Sequence, residues 1–158
     1  MEEILKILEE NARISIEDLA TMVNKTPAEV AEILDDARKS HILNGCRALI
    51  DWEKAGIAHV QSIIELRVSP RRDCGFDEIA SVIAHFDEVD SVMLMSGGYD
   101  LSLVVKGKSF QDIALFVAKR LSPIDGVLST ATHFVLHTYK KDGVQFDGDL
   151  EDERESQL

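Results

Sequence analysis

The sequence predicts an α+β chain of two units, and three observations carry that reading. Two helix starts, Ser15 and Thr26-Pro27, lie close together in a stretch with helical apolar spacing. Beyond residue 60 the spacing changes to strands alternating with helices. Between them in importance is Val92–Val105, VMLMSGGYDLSLVV, where two apolar runs of strand length flank Gly97-Gly98. A glycine pair there signals a hairpin, because primed turns take positive φ and only glycine does so freely. Runs apolar on nearly every residue predict strands buried on both faces, in mid-sheet or at an assembly interface.

Taken in order, Glu2–Asn11 sets Ile4, Leu5, Ile7 and Leu8 on one helical face, and Asn11-Ala12-Arg13 ends it. Ser15 caps a second helix over about Ile16–Val23, with Asp18 as the acidic partner three residues on. After Asn24-Lys25, Thr26 caps a third helix with Pro27 at its first position, where a missing N–H costs nothing. Its apolar stripe is Val30, Ile33, Leu34 and Ala37. A supporting helix followed by two short helices and a tight turn is helix-turn-helix grammar. Ile42–Asp51 then reads as a hairpin around Asn44-Gly45, a wing that completes a domain over residues 1–51. Residues 52–58 read as a linker.

Residues 59–146 read strand, helix, strand, strand, helix, strand. The strands are Val60–Val68, Val89–Met95, Tyr99–Lys106 and a long last one, Val127–Tyr139. One helix presents Phe76, Ile79, Ala80, Ile83 and Phe86; the other, capped by Ser109, presents Phe110, Ile113, Ala114, Val117 and Leu121. This order is the split βαββαβ of a ferredoxin-like fold, with both helices on one sheet face. The other face is expected to be apolar through Val92, Leu94, Val104, Leu128, Phe134 and Leu136. That expectation implies dimerisation, sheet face to sheet face.

At 158 residues, 45% hydrophobic and 29% charged, the chain is ordinary soluble globular material. No apolar run reaches the roughly 20 residues of a membrane span. The acidic, helical N-terminus is not a signal peptide, so the expected location is the cytoplasm, with no membrane partner. Cys46 and Cys74 belong to no Cys-x-x-Cys pair and are expected as buried thiols in a reducing compartment. A net charge of −12 opposes any broad attraction to nucleic acid or anionic lipid. Residues 147–158, DGDLEDERESQL, lack apolar periodicity and are expected as a disordered acidic tail.

With both halves read, the chain resembles the Lrp/AsnC, or feast/famine, family of transcription regulators over about residues 3–144. The matching pieces are NARIS (Asn11–Ser15), DLA (Asp18–Ala20), Thr26-Pro27, RALIDWEKAG (Arg47–Gly56), SGGYDL (Ser96–Leu101) and GVLSTATHFVL (Gly126–Leu136). The resemblance implies a winged helix-turn-helix, a ligand-sensing domain, and dimers that assemble into octamers or similar rings. It implies an amino acid or related metabolite as effector, bound at contacts between dimers. The family's ligand loop matches Gly97, Gly98, Tyr99, Asp100 and Leu101, and its last-strand partners match Thr130 and Thr132. On that reading Asp100 accepts from the effector's ammonium. Backbone N–H groups of Gly97–Tyr99, or the two threonine hydroxyls, donate to its carboxylate.

The chain departs from the family in the third helix, TPAEVAEILDDARKS. Where relatives place arginines, it holds Ala31, Glu32, Asp35 and Asp36, and Glu29 and Glu32 are expected to aim carboxylates at the groove. A carboxylate accepts from cytosine N4 but is repelled by phosphates. The residues expected toward DNA are Lys25, Thr26, Glu29, Glu32, Arg38, Lys39 and Arg47. The alternative is a ligand-sensing co-regulator that does not grip DNA and acts through mixed oligomers.

Other chemistries find no support. His133 and His137, four apart in one strand, would sit about 13 Å apart, too far for one metal ion. His41, His59 and His85 have no ligand-spaced companions. Arg71-Arg72-Asp73-Cys74 reads as a loop with a salt bridge. No nucleophile triad, phosphate loop or dinucleotide fingerprint is present. A few members of the family act on haem precursors, but no cluster here suits a tetrapyrrole. No enzymatic activity, cofactor or metal is expected.

Overall fold

The structure is a computed structural model that describes residues 1–69 and 75–146. It divides into two compact units, Met1–Leu49 and Ile50–Leu158. The Arg71–Cys74 loop and the acidic tail lie outside the described residues.

The first unit holds α1 (Glu2–Glu10), α2 (Ile16–Met22) and α3 (Pro27–Lys39). Their apolar stripes meet in a small core of Ile4, Leu19, Ala20, Val30 and Leu34, with Ile7, Leu8, Ile14, Val23, Ile33 and Leu43 around it. The caps form as the sequence predicts: Ser15 Oγ accepts from the Asp18 N–H at 3.0 Å. The turn between α2 and α3 depends on Asn24 at φ 51°. There the Lys25 N–H reaches back to Ala20 O at 2.9 Å and the Asn24 N–H to Thr21 O at 3.3 Å, closing the helix. Asn tolerates this left-handed conformation better than most residues, which explains a turn without glycine.

The expected wing does not form: residues 42–51 contain no strand. Ile42 and Leu43 instead finish α3, both donating to Ala37 O (2.9 and 3.0 Å), and Asn44 Nδ2 donates to His41 O. Leu43 is half-buried on the helical core, whereas residues 44–50 are exposed. A two-residue turn signal therefore loses to helix closure, since a lone two-stranded hairpin is marginal in water. Within residues 52–58, expected as a linker, residues 52–57 form a turn capped by Asp51. Asp51 Oδ1 accepts from the Lys54 N–H at 2.9 Å, and the Ile57 N–H returns to Trp52 O at 3.1 Å.

The second unit holds β1 (Val60–Val68), α4 (Phe76–Ala84), β2 (Val89–Leu94), β3 (Leu101–Gly107), α5 (Phe110–Phe116) and β4 (Val127–Phe134). The antiparallel sheet has the order β2-β3-β1-β4, the ferredoxin-like order expected for βαββαβ. Ile64, Leu66, Val68, Leu101, Leu103 and Val105 point from the sheet to Ile79 and Ile83 of α4 and Ile113 and Phe116 of α5. Both helices thus cover one face. Gly126, at φ 91°, brings the chain into β4 against α4: a Cβ there would lie 2.8 Å from Ile79 Cδ1.

Several element details differ from expectation. After α5 the chain winds as a π-turn over Val117–Leu121, with the Ser122 N–H bonded to Val117 O. The inner residues are accordingly Ile113, Phe116 and Leu121, while Phe110 and Ala114 are exposed. The last strand stops at Phe134, and Lys140–Lys141 (β5) pairs with Val144–Gln145 (β6). The turn between them is Asp142-Gly143, both at positive φ, a hairpin signal that the sequence reading passed over.

The exposed face also needs correction. Val92 lies opposite Leu103, and Phe134 opposite Ser62, so both point to the helices and pack on the core. Leu94 shares that side but sits at the sheet edge, 62% exposed. Leu128 is the extra residue of a bulge, because Arg67 pairs Ser129 and Val68 pairs Val127. The helix-free face instead carries Ile63, Met93, Val104 and Ala131 among Glu65, Arg67, Ser102, Ser129 and His133. Strand parity decides this, since a shift of one residue exchanges the faces. Of the two hairpin strands, expected in mid-sheet or at an assembly interface, β3 lies in mid-sheet and β2 at the sheet edge.

Candidate functional site

The Gly97-Gly98 pair does not make a two-residue primed turn. The Met95 N–H donates to Asp100 O at 2.8 Å, which leaves a wider loop over Ser96–Tyr99. Gly97 and Gly98 are exposed, and a Cβ on either would meet nothing within 4 Å. Among the described residues no neighbour demands glycine there, so the loop offers bare backbone to its surroundings. Tyr99 and Asp100 at its far side are half-buried.

Asp100 is tied down twice. Its N–H donates to Leu66 O at 2.9 Å, and its Oδ2 accepts from the Val68 N–H at 2.8 Å. Val68 lies beyond the rung at which β3 starts, Leu101 opposite Leu66. The carboxylate thus serves as the next rung of the ladder, in place of a carbonyl that the loop has carried away. Leu66 and Val68 were not among the residues singled out from sequence; a contact across 32 residues leaves no local signal.

Thr130 and Thr132 are half-buried on β4, opposite Leu66 and Ile64. The register sets Leu94, Leu101, Leu66 and Thr130 in one row across the four strands, and Val92, Leu103, Ile64 and Thr132 in another. Leu101, Thr130 and Thr132 therefore share the helix-side face. Leu101 is fully buried in the core and packs the loop's root. Loop and threonines lie toward the same end of the sheet, about 10 Å apart across two strand spacings.

In the first unit, the Glu29 carboxylate is bonded within the chain. Its Oε2 accepts from the Thr26 N–H at 2.8 Å and from Thr26 Oγ1 at 2.7 Å, while Thr26 Oγ1 accepts from the Glu29 N–H. This is a complete capping box. The bond from the Thr26 backbone, then that from its hydroxyl, holds the Glu29 carboxyl below its ordinary range. Asp35 is likewise held low by a hydrogen bond and charge from Lys39 at 2.7 Å, and Lys39 is held high by Asp35. With Val30, Leu34 and Ala37 buried, the outward face presents Ala28, Glu32, Asp35 and Lys39, flanked by Asp36 and Arg38. Lys25 and Arg47 are exposed.

Elsewhere, Cys46 is exposed rather than buried, and Cys74 lies outside the described residues. His133 lies 3.5 Å from Glu65 and His137 3.7 Å from Glu53. Among the described residues no three His, Cys, Asp or Glu side chains could hold a metal ion, and no helix is long and apolar enough to cross a membrane. A cleft of about 390 Å³ lies by Val60 and Gly107, the sheet end away from the loop. His59, Lys106 and Lys108 face Asp87 and Glu88 in its lining, a mixed set that favours neither sign.

A helix-turn-helix and a ferredoxin-like unit with a glycine loop at its hairpin are thus joined in one chain. The model of the AsnC-type helix-turn-helix domain matches residues 2–32, and that of the Lrp/AsnC ligand binding domain matches residues 61–145. The chain belongs to the Lrp/AsnC family. It is 46% identical over 153 residues to the uncharacterized HTH-type transcriptional regulator YugG of Bacillus subtilis, covering 96% of this chain and 92% of that one. It is 26% identical over 145 residues to the proline dehydrogenase transcriptional activator of Rhizobium radiobacter, covering 89% and 90%. The structure of the Neisseria meningitidis regulator NMB0573 in complex with L-Met superposes with a TM-score of 0.69 at 23% identity, covering 95% and 94%. This Lrp/AsnC protein is a transcriptional regulator with a helix-turn-helix and a ligand-binding domain.

Proposed function

We propose that this regulator responds to an amino acid or a closely related metabolite held at the loop Gly97–Leu101, with Thr130 and Thr132 beside it. The observation that carries the proposal is the exposed Gly97-Gly98 backbone, bounded by half-buried Tyr99 and Asp100. Exposed backbone N–H groups suit a carboxylate, and the threonine hydroxyls both donate and accept. The L-Met complex of a similar fold supports the same ligand class.

The partners follow from exposure. Ile63 and Met93, 42% and 45% exposed on the helix-free face, suit a second copy of the chain. Dimers joined into an octamer or similar ring then place effector loops at contacts between dimers. An effector that binds one arrangement better shifts the population toward it and resets the spacing of the DNA-binding units. The proposed compartment is the cytoplasm, and no catalysis is assigned.

For DNA, Lys25, Arg38 and Arg47 are the proposed phosphate contacts. Thr26 and Glu29 bond each other in the capping box, and Lys39 pairs with Asp35. The outward Glu32 and Asp35 favour a second reading, in which the regulator acts mainly in mixed oligomers with a more basic member of the family. Binding to its own promoter fragment, titrated at low and moderate salt, tests both. Saturable binding that weakens steeply with salt supports direct contact; no binding at low salt leaves the second reading. The effector proposal fails if no L-amino acid raises the melting temperature or alters the assembly in light scattering.

A further inference from the structure

We infer that Asp100 is a positioning residue of the effector site: its carboxylate latches the glycine loop to β1 and is not the group that meets the effector's ammonium. The inference rests on the effector reading above and assigns roles within it.

The loop leaves the sheet at Leu94 and returns at Leu101. On the return side, three bonds fix Asp100: its carbonyl accepts from Met95, its N–H donates to Leu66, and its Oδ2 accepts from Val68. Without the third, the Val68 N–H would face the mouth of the loop with no strand opposite. Val68 itself is buried, so water is a poor substitute. Val68 is also where β1 slips register against β4, at the Leu128 bulge. The latch therefore joins loop, β1 and the start of β4, the segment that leads to Thr130. Among the described residues nothing crowds the backbone at Gly97 and Gly98, so they need an external restraint to hold one conformation. Asp100 supplies it. A charge is not required for that role, because an amide oxygen accepts from the Val68 N–H as well. An ammonium anchor, in contrast, depends on the charge.

The full-length protein, Asp100→Asn and Asp100→Ala separate these roles. Amide hydrogen exchange is read at Val68, and calorimetry uses L-methionine first and then the other L-amino acids as probes. The latch predicts slow Val68 exchange in wild type and Asn, and exchange faster by about tenfold or more in Ala. It predicts probe affinity in Asn within about threefold of wild type, with Ala much weaker. The latch is overturned if Asn keeps Val68 protected yet loses probe affinity by about tenfold or more, since the charge then anchors the ligand. It is equally overturned if Val68 exchanges alike in all three proteins. Should Ala not fold, loss of Val68 protection in Asn overturns the latch and its retention upholds it. If no L-amino acid binds wild type, the effector assignment fails, and Val68 exchange alone decides the latch.

Discussion

Two carboxylates in this chain accept a backbone N–H at the same distance and do different jobs. Glu29 takes the Thr26 N–H at 2.8 Å and Asp100 takes that of Val68 at 2.8 Å. The first bond spans three residues at the exposed start of a helix; the second spans 32 and is half-buried beside the hairpin loop. Hydrogen-bond geometry alone therefore does not rank them. What ranks them is the alternative open to the donor. Water replaces Glu29 at the helix end, whereas the Val68 donor belongs to a buried residue, where water is a poorer substitute.

The largest expected effect follows from that difference. Asp100→Ala leaves a buried donor unpaired and should cost about 1–3 kcal/mol. Urea denaturation followed by the single Trp52, which lies in the second unit, measures it. A loss below a few tenths of a kcal/mol would mean that the Val68 N–H finds another partner. Thr26→Ala removes the exposed cap and should cost about 1 kcal/mol, read by the helical circular dichroism of the first unit. If the exposed change costs more than the half-buried one, the ranking by solvent access is wrong.

The same contrast explains what could be read from sequence. Ser15, Thr26-Pro27 and Glu29 act on neighbours three residues away, so the caps and all three helices of the first unit were legible. So was the βαββαβ order, because each element buries a periodic stripe. The wing was misread because Asn44-Gly45 speaks for a hairpin only when the strands beside it have a surface to cover. The faces of β2 and β4 were misassigned because bulges at Val89/Ser91 and Arg67/Val68 break the parity that alternation assumes. In the glycine loop the residue types were legible, but the bond between Asp100 and Val68 was not. That pairing is set by sheet register, and register is not a local property.

Smaller again is the acid response of α3. The Glu29 carboxyl is held below its ordinary value of 4.5 by the Thr26 bonds, and Asp35 below 3.8 by Lys39. A folded-state value lower than the unfolded one contributes stability that is present above the unfolded value. It is lost as pH falls through the folded one. The first unit should therefore weaken slightly on acidification, below the ordinary carboxylate range. Glu29→Gln keeps an acceptor for the box and removes the titration, so its helical signal should fall less with acid than that of wild type. An identical acid profile would show that the box contributes nothing measurable.

The smallest expected effect on stability comes with an informative effect on binding. Glu32 and Asp36 are exposed on α3, and neither side chain has a hydrogen bond or ion pair among the described residues. Replacing both by Arg should change stability by no more than about 0.5 kcal/mol each. It turns two negative charges into two positive ones on the face where a helix-turn-helix meets the major groove. If α3 docks on DNA, each carboxylate now forgoes a phosphate contact and meets repulsion. The double variant should then bind duplexes of any sequence more tightly, with a steeper salt dependence, because each new contact releases a counterion. Glu29 must be left in place, since changing it would break the capping box and mix a folding effect into the binding one. Unchanged affinity at low salt, with helicity intact, would mean that α3 does not face DNA. The acidic face would then be a surface for a basic partner, and regulation would run through mixed oligomers.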